Sequence, residues 1–209
     1  GLYLRHASRT VLMTIINAIK TGDVSQAPRL EAMLSHTIQS NKEREMAYVR
    51  QATHDALTGC KNRRAFDSDI AELLNAQQPF AMALVDIDNF KSINDTLGHL
   101  TGDIVLRNVA REGIQIMQPH HVSVYRYGGE EFAVIFQAEQ MSSALSLLEA
   151  WRTAVEKRVW REENLRVTFS GGLGEWHFEP LEQFVGSVDN ALYSAKQQGK
   201  NRIVRTSIS

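Results

Sequence analysis

The sequence predicts an α+β domain that follows a helical N-terminal segment. From about residue 55 onward, short runs of strand character alternate with amphipathic helical runs, and this order alone would indicate an α/β fold. However, residues 122–127 and 132–136 are two strand-like runs that flank Gly128-Gly129. A glycine pair favours the positive φ angles of a two-residue hairpin, so antiparallel pairing is expected at the centre of the sheet.

The predicted elements follow in chain order. Residues 10–20 have apolar positions on one helical face, and a second helix is predicted over 25–53. The heptads of this segment are interrupted, so it is either a helical hairpin that packs on its neighbour or a signalling helix that pairs two chains. The later helices are predicted at 62–76, 89–97, 101–117, 141–158 and 181–197, and the strands at 80–87, 122–127, 131–137, 167–174 and 202–206.

Composition restricts the class of protein. The 209 residues suffice for one full domain and a smaller appendage, and a net charge of −1 gives no basic footprint for a nucleic-acid polymer. A single cysteine, Cys60, excludes an intramolecular disulfide framework and favours a reducing compartment. No apolar run reaches the ~20 residues of a membrane span. We therefore expect a cytoplasmic protein, and the missing initiator methionine predicts an upstream region.

Carboxylates at two distant points of the chain indicate a metal site. Glu130 and Glu131 directly follow the paired glycines. Asp86 lies at the end of the apolar run that begins at Ala81. Two carboxylates about 4 Å apart repel by about 4 kcal/mol at an effective dielectric of about 20, and a divalent cation removes this repulsion. Mg²⁺ is typically held by one or two carboxylates together with waters and substrate phosphates. The pattern therefore suggests nucleotide chemistry.

Five blocks of sequence, in this order, carry a family resemblance. They are residues 55–64, 86–95, 98–103, 127–132 and 191–202. With them the chain resembles the GGDEF-domain diguanylate cyclases, in the Gly-Gly-Glu-Glu-Phe variant, over roughly residues 53 to 205. The resemblance implies a central, mostly antiparallel five-stranded sheet flanked by helices, the palm-like plan of nucleotidyl cyclases. It also implies that residues 53–209 form the catalytic domain and work as a pair.

The resemblance further implies the catalytic and metal-binding residues. Asp86, Glu130 and the main-chain carbonyl of Ile87 would hold Mg²⁺ or Mn²⁺. Glu130 and Glu131 would form the catalytic pair, where Glu131 either helps to bind a second metal ion or accepts the proton of the attacking 3′-hydroxyl. As an alternative, Glu131 is a strand residue that faces solvent.

The substrate residues are implied in the same way. Lys91, Lys196 and Lys200 would hold the phosphates, and the last two are expected on one side of a helix end, where lysines can also simply compensate the helix dipole. The Phe90 main-chain N–H would donate to a phosphate. The guanine base would be read by Asn94 and Asp103, with His99 lining the same pocket. Asp103 could instead be a helix N-cap.

The function that this resemblance implies is the condensation of two GTP into cyclic di-GMP and two pyrophosphates by a homodimer. A catalytically silent module that binds GTP or cyclic di-GMP is the alternative. Residues 1–52 would be a signalling or dimerisation segment that follows an upstream sensor domain.

Two further features concern regulation and support of the site. Many relatives carry Arg-x-x-Asp before the hairpin as an inhibitory product site, but Pro119 and Val122 occupy those positions here. Neither side chain can form charge-assisted contacts, so no product-inhibition site is expected. Asp55 and Arg126 match family positions at which a structural ion pair and a catalytic part are equally expected.

Overall fold

The computed structural model describes residues 2–22, 25 and 27–207. The chain divides into two compact units, Gly1–Ala52 and Thr53–Ser209. Residue 1 of the predicted segment 1–52 and residues 208–209 of the predicted domain 53–209 lie outside the described residues. None of the helices in the described part of the chain combines the length and apolar character that a membrane crossing requires.

The first unit consists of two helices. α1 spans Leu2–Thr21 and α2 spans Ala27–Thr53, so α1 begins earlier than the apolar pattern of residues 10–20 predicted. α2 buries none of its described residues. Large apolar side chains of its predicted apolar face are exposed, namely Leu34, Ile38, Met46 and Val49. What this unit does stays a prediction.

The second unit holds five strands and five helices among its described residues. The helices are α3 (Arg63–Asn75), α4 (Phe90–Leu97), α5 (His99–Met117), α6 (Ala144–Lys157) and α7 (Leu181–Gln197). The strands are β1 (Phe80–Ile87), β2 (Ser123–Arg126), β3 (Glu131–Gln137), β4 (Phe169–Glu175) and β5 (Ile203–Arg205). The predicted elements are all present, within a few residues of their expected bounds.

The five strands form one sheet in the order β2-β3-β1-β4-β5. β1 pairs antiparallel with β3 and with β4, β2 pairs antiparallel with β3, and β4 pairs parallel with β5. The mostly antiparallel sheet is therefore confirmed. Antiparallel pairing at the centre of the sheet is confirmed, since the central strand β1 pairs antiparallel on both sides, and the hairpin of β2 and β3 lies towards one edge.

β1 is buried on both faces of the sheet. Its alternate residues Ala81, Ala83 and Val85 lie in a core with α5 and α6, whereas Phe80, Met82 and Leu84 lie in a second core with α3 and α7. Side chains alternate between faces along a strand. Asp86 continues the second series and therefore points to the face that α7 covers.

Two helix starts differ from the predicted positions. α5 begins at His99 because Gly98, at φ 85°, reverses the chain directly after α4. α6 begins at Ala144 because residues Ala138–Ser143 form a 3₁₀ turn before it. In both cases a local turn, and not the apolar periodicity, sets the first residue of the helix.

Glycines allow α7 to approach β4 closely. A Cβ atom on Gly172 would lie 2.3 Å from the carbonyl oxygen of Val188 and 2.6 Å from the main-chain nitrogen of Leu192. Both neighbours are helix backbone, which cannot yield as a flexible side chain would. The small residue therefore sets the distance between α7 and the sheet.

We expect Gly172→Ala to destabilise the domain by about 1 to 3 kcal/mol, because α7 must shift to admit the methyl group. Gly186→Ala in the same helix is the matched control, since no described atom lies within 4 Å of its Cβ position. That exposed position should gain about 0.5 to 1 kcal/mol. Urea denaturation measures both values, and equal effects of the two substitutions would contradict the packing argument.

Candidate active site

The register of the central strands brings the predicted carboxylates together. Asp86 lies directly opposite Glu131 in the β1–β3 ladder, and the Ile87 N–H donates to the Glu130 carbonyl at 3.3 Å. In an antiparallel ladder the N–H and C=O of one residue face the same neighbouring strand. The Ile87 main chain therefore faces the hairpin loop, beside Glu130.

The electrostatics of this group reflect burial and like charge. Partial burial raises the pKa of Asp86; Lys196 opposes this rise, whereas the charges of Glu130 and Asp88 add to it. Burial likewise raises the pKa of Glu131, and the charges of Asp86, Glu130 and Asp189 raise it further. Both carboxyl groups thus lie in a site that favours a nearby cation.

The hairpin loop differs from the predicted two-residue turn. Residues 127–130 join β2 to β3, and the Tyr127 and Gly128 N–H groups both donate to the Glu131 carbonyl, at 2.8 and 3.2 Å. Neither Gly128 nor Gly129 adopts a positive φ, so that expectation was wrong. A four-residue loop reverses the chain without left-handed residues. Gly128 instead leaves room for Glu131, whose Oε2 would lie 2.8 Å from a Cβ atom there.

Arg126 fixes the tip of this loop. Its Nε and Nη2 donate to the Gly129 carbonyl at 3.2 and 3.0 Å, and its Nη1 lies 3.1 Å from Asp55 Oδ2. Asp55 also accepts from the N–H and hydroxyl of Thr58, at 2.9 and 2.7 Å. Of the two alternatives for Asp55 and Arg126, the structure forms the ion pair.

Lys196 reaches Asp86 from α7. Its Nζ donates to Asp86 Oδ1 at 2.5 Å and lies 3.1 Å from Asp88 Oδ1. Asp88 follows β1 directly and is buried, with a relative exposure of 3%. The ammonium group therefore partly neutralises the acidic end of β1.

Lys200 lies beyond the end of α7, which agrees with the predicted helix bounds of 181–197. α7 ends at Gln197, and Lys200 lies in the turn beyond it with φ 64°, after Gly199 with φ 118°. Its Nζ donates to Asn89 Oδ1 at 2.6 Å. Lys196 and Lys200 still approach the same loop after β1, but a left-handed turn, and not helical spacing, brings the second one there.

Asn94 and Asp103 lie on neighbouring helices. Asn94 is in α4, and its Oδ1 is buried with no hydrogen-bond partner among the described residues. This oxygen packs on Gly102, where a Cβ atom would lie 1.8 Å away. Asp103 is half-buried, one residue on in α5. It is the fifth residue of that helix, so the N-cap alternative is wrong.

The remaining predicted residues lie at helix starts. Phe90 is buried at the first position of α4, followed by exposed Lys91. The N-cap residue Asn89 is left-handed, at φ 56°, and makes no side-chain capping bond. His99 is exposed at the first position of α5. The main-chain N–H groups at the start of α4 can therefore donate hydrogen bonds to an anion.

Comparison with known proteins places the chain in a family. The family model described as "Diguanylate cyclase, GGDEF domain" matches residues 52–202. The chain belongs to the GGDEF-domain family.

Among its relatives are diguanylate cyclase VdcA of Vibrio cholerae, 37% identical over 78% of this chain, and DgcZ of Escherichia coli, 33% identical over 82%. The chain covers 50% of the first relative and 60% of the second, so it spans little more than half their length.

Solved structures agree with this fold. The coiled coil and GGDEF domain of DgcB from Caulobacter crescentus, in complex with c-di-GMP, is 32% identical with a TM-score of 0.72, and the match covers 87% of this chain and 100% of that one. SiaD from Pseudomonas aeruginosa, in complex with its activator SiaC, is 28% identical with a TM-score of 0.71, covering 98% of this chain and 88% of that one.

Sequence reasoning missed one buried part of this GGDEF domain. Asp88 had no assigned role, although it touches Lys196 and three other groups near the site. Its signal was a second carboxylate directly after an apolar strand, which is a position where a charge is buried only with partners. Asp189 of α7, which raises the pKa of Glu131, was also missed.

The Asp55–Arg126 pair leads to a pH prediction. Partial burial raises the pKa of Asp55, but the hydrogen bonds from Thr58 and the charge of Arg126 together lower it below its usual value. A lowered pKa in the folded state stabilises the protein above the unfolded pKa of about 3.9, and this contribution is lost as the pH falls through the folded value.

We therefore expect Asp55→Asn to lower the free energy of unfolding by about 1 to 3 kcal/mol at pH 7. The difference from the wild type should be the same at pH 5 and shrink below about pH 4. Urea denaturation across this range measures it. A difference that does not change down to pH 3 would show that the charge of Asp55 is not what stabilises the turn.

Proposed function

We propose that this GGDEF domain is a diguanylate cyclase that condenses two GTP into cyclic di-GMP and two pyrophosphates. The observation that carries the proposal is the meeting of Asp86, Glu130 and Glu131 at one end of the sheet beside Lys196. In each of the two steps a 3′-hydroxyl oxygen bonds to the α-phosphorus of the other GTP, the bond to the β-phosphate bridge breaks, and pyrophosphate leaves.

The donor set fits Mg²⁺ or Mn²⁺. Within the described part of the chain, no group of three or more His, Cys, Asp or Glu side chains is arranged to hold a metal. Mg²⁺ does not require such a group, because it is usually bound by one or two carboxylates, waters and substrate phosphates. Asp86, Glu130 and the Ile87 carbonyl would supply these oxygens. When bound, the cation would stabilise charge on the leaving pyrophosphate.

The triphosphate would lie between the start of α4 and the turn after α7. The Phe90 N–H and Lys91 belong to the N-terminus of α4, where the helix dipole favours anions. Lys196 and Lys200 lie on the opposite side, where their ammonium groups donate to Asp86 and Asn89 respectively. Three ammonium groups would thus offset the phosphate charge.

The guanine base would lie against α4 and α5. The Asp103 carboxylate would accept from N1–H and the 2-amino group, a donor pair that adenine lacks, and an unpaired buried acceptor costs about 1 to 3 kcal/mol. The buried and unpartnered Asn94 Oδ1 supports a polar ligand there. His99 would line the same pocket.

Glu131 would act on the attacking hydroxyl or on a second cation. Its pKa is raised by burial and by the charges of Asp86, Glu130 and Asp189, and a raised pKa suits a proton acceptor. Each domain would hold one GTP, so the reaction requires a homodimer with the two sites face to face. The rate per chain should then rise with protein concentration until the dimer saturates.

Regulation and location follow as lesser proposals. Pro119 lies in a 3₁₀ turn and Val122 is buried, so these positions would not bind product through charge. Residues 1–52 would pair chains or transmit a signal from an upstream sensor domain. The cytoplasmic location stays a prediction.

The direct test is incubation with GTP and Mg²⁺, followed by identification of the product by mass. Glu130→Gln keeps the shape of the side chain but removes a ligand charge, so we expect turnover to fall by several orders of magnitude with the fold retained. Near-normal production of cyclic di-GMP by this variant would contradict the metal role. GTP binding without turnover by the wild type would favour the silent signalling module.

Base selection has its own test. We expect Asp103→Ala to weaken GTP binding by about tenfold or more, because guanine loses a paired acceptor. The unfolding temperature should change little, since Asp103 lies in the body of α5 with no capping role. Calorimetric titration with GTP measures the first effect and thermal denaturation the second. Unchanged GTP affinity would place the base elsewhere.

A further inference from the structure

Asp88 is a buried carboxylate with partners on every side. Its Oδ1 accepts from the Ser170 hydroxyl at 2.7 Å and lies 3.1 Å from Lys196 Nζ. Its Oδ2 accepts from the Thr168 hydroxyl at 2.7 Å and from the Asn201 main-chain N–H at 3.0 Å. Desolvating a carboxylate is costly unless its oxygens are paired. The four contacts pair both oxygens of Asp88 and hold their partners around it.

The partners of Asp88 belong to different elements of the domain. Ser170 is in β4, Lys196 is in α7, and Asn201 is in the turn between α7 and β5. Lys196 is thereby held from two sides, by Asp86 and by Asp88. One buried charge therefore ties the helix and the turn to the end of the central strand.

The turn beyond α7 needs such an anchor. Lys200 and Asn201 are consecutive non-glycine residues with positive φ, at 64° and 46°. Residues in sparsely populated backbone regions are strained and persist only when their surroundings hold them. Asn201 is held by its N–H bond to Asp88 and by Arg152, whose Nη1 donates to Asn201 Oδ1 at 2.9 Å.

We propose that Asp88 is the positioning residue of the phosphate site, because it fixes both Lys196 and the turn that carries Lys200. This inference rests on the proposed binding of GTP. Asp88 touches no substrate in this scheme. It acts through the two lysines, so its loss should weaken phosphate binding and leave base recognition by Asn94 and Asp103 intact.

Asp88→Asn is the decisive variant. The hydroxyls of Ser170 and Thr168 can rotate to accept a hydrogen bond, but Lys196 Nζ and the Asn201 N–H can only donate. Whichever way the new amide is turned, its NH₂ group faces one of these two donors. The substitution therefore disturbs either the lysine or the turn, with almost no change in volume.

The experiment compares two ligands in the presence of Mg²⁺. One is 3′-deoxy-GTP, which keeps the base and the triphosphate but lacks the attacking hydroxyl, and the other is guanosine. For Asp88→Asn we expect the affinity for 3′-deoxy-GTP to fall by about tenfold or more, with guanosine affinity unchanged. Ser170→Ala is the matched control. It removes one neutral partner of the same oxygen and should stay within about threefold of the wild type for both ligands.

A rescue variant separates positioning from general stability. Glycine adopts positive φ without side-chain strain. Asn201→Gly in the Asp88→Asn background should therefore recover part of the affinity for 3′-deoxy-GTP. If Asp88→Asn alone does not fold, the same two ligands are compared between the double variant and Asn201→Gly.

The outcomes are distinct. Equal losses for 3′-deoxy-GTP and guanosine would mean that Asp88 only maintains the fold, and no loss for either would also overturn the proposal. If the wild type itself does not bind 3′-deoxy-GTP, the proposed function fails and this inference fails with it. If the wild type binds and Asp88→Asn matches Ser170→Ala, the inference alone fails.

Discussion

The antiparallel register of β1 against β3 places Asp86 opposite Glu131, and the repulsion between carboxylates at this point must be offset by the surrounding elements. Two unit charges about 4 Å apart repel by about 4 kcal/mol at an effective dielectric of about 20. Burial adds to this cost because it disfavours the charged form, and the pKa of both carboxyl groups is raised as a result. Lys196 supplies the charge that compensates it within the chain.

The elements around the site keep these groups in place. The close approach of α7 to β4 over Gly172 determines the position of Lys196, which α7 carries. Arg126 connects the hairpin loop to Asp55 at the start of the domain. Asp88 connects Lys196 to the turn that follows α7. A scaffold of this kind suits the proposed nucleotidyl transfer, because positioning and electrostatics supply most of the catalysis in such a reaction.

The sequence was informative where one pattern decided the structure. β1 is a continuous apolar run and is buried on both faces. α7 spans Leu181–Gln197, the bounds that the sequence predicted. Family resemblance then supplied the antiparallel sheet, which the alternation of helices and strands alone did not indicate. The carboxylates of Asp86 and Glu131 met because strand register is fixed when both faces are buried.

Other features depended on local backbone geometry or on distant partners. Helical spacing predicted that Lys196 and Lys200 project to the same side of a helix end, whereas Lys200 returns through a left-handed turn beyond α7. The glycine pair predicted positive φ angles, whereas Gly128 is instead small because Glu131 lies over it. A carboxylate directly after an apolar strand was the one local signal of Asp88, but its partners Thr168, Ser170 and Asn201 are far away in sequence, so no local pattern could reveal them.

The most direct measurement of the central claim is a titration with Mn²⁺ in the presence of 3′-deoxy-GTP, followed by electron paramagnetic resonance. If Asp86 and Glu130 hold a cation together with substrate phosphates, the protein should lower the signal of free Mn²⁺ saturably below the level that the nucleotide alone produces. Asp86→Asn should abolish this additional loss. Nucleotide that binds the protein equally well without any cation, with no additional loss of free Mn²⁺, would contradict a metal site at the end of β1.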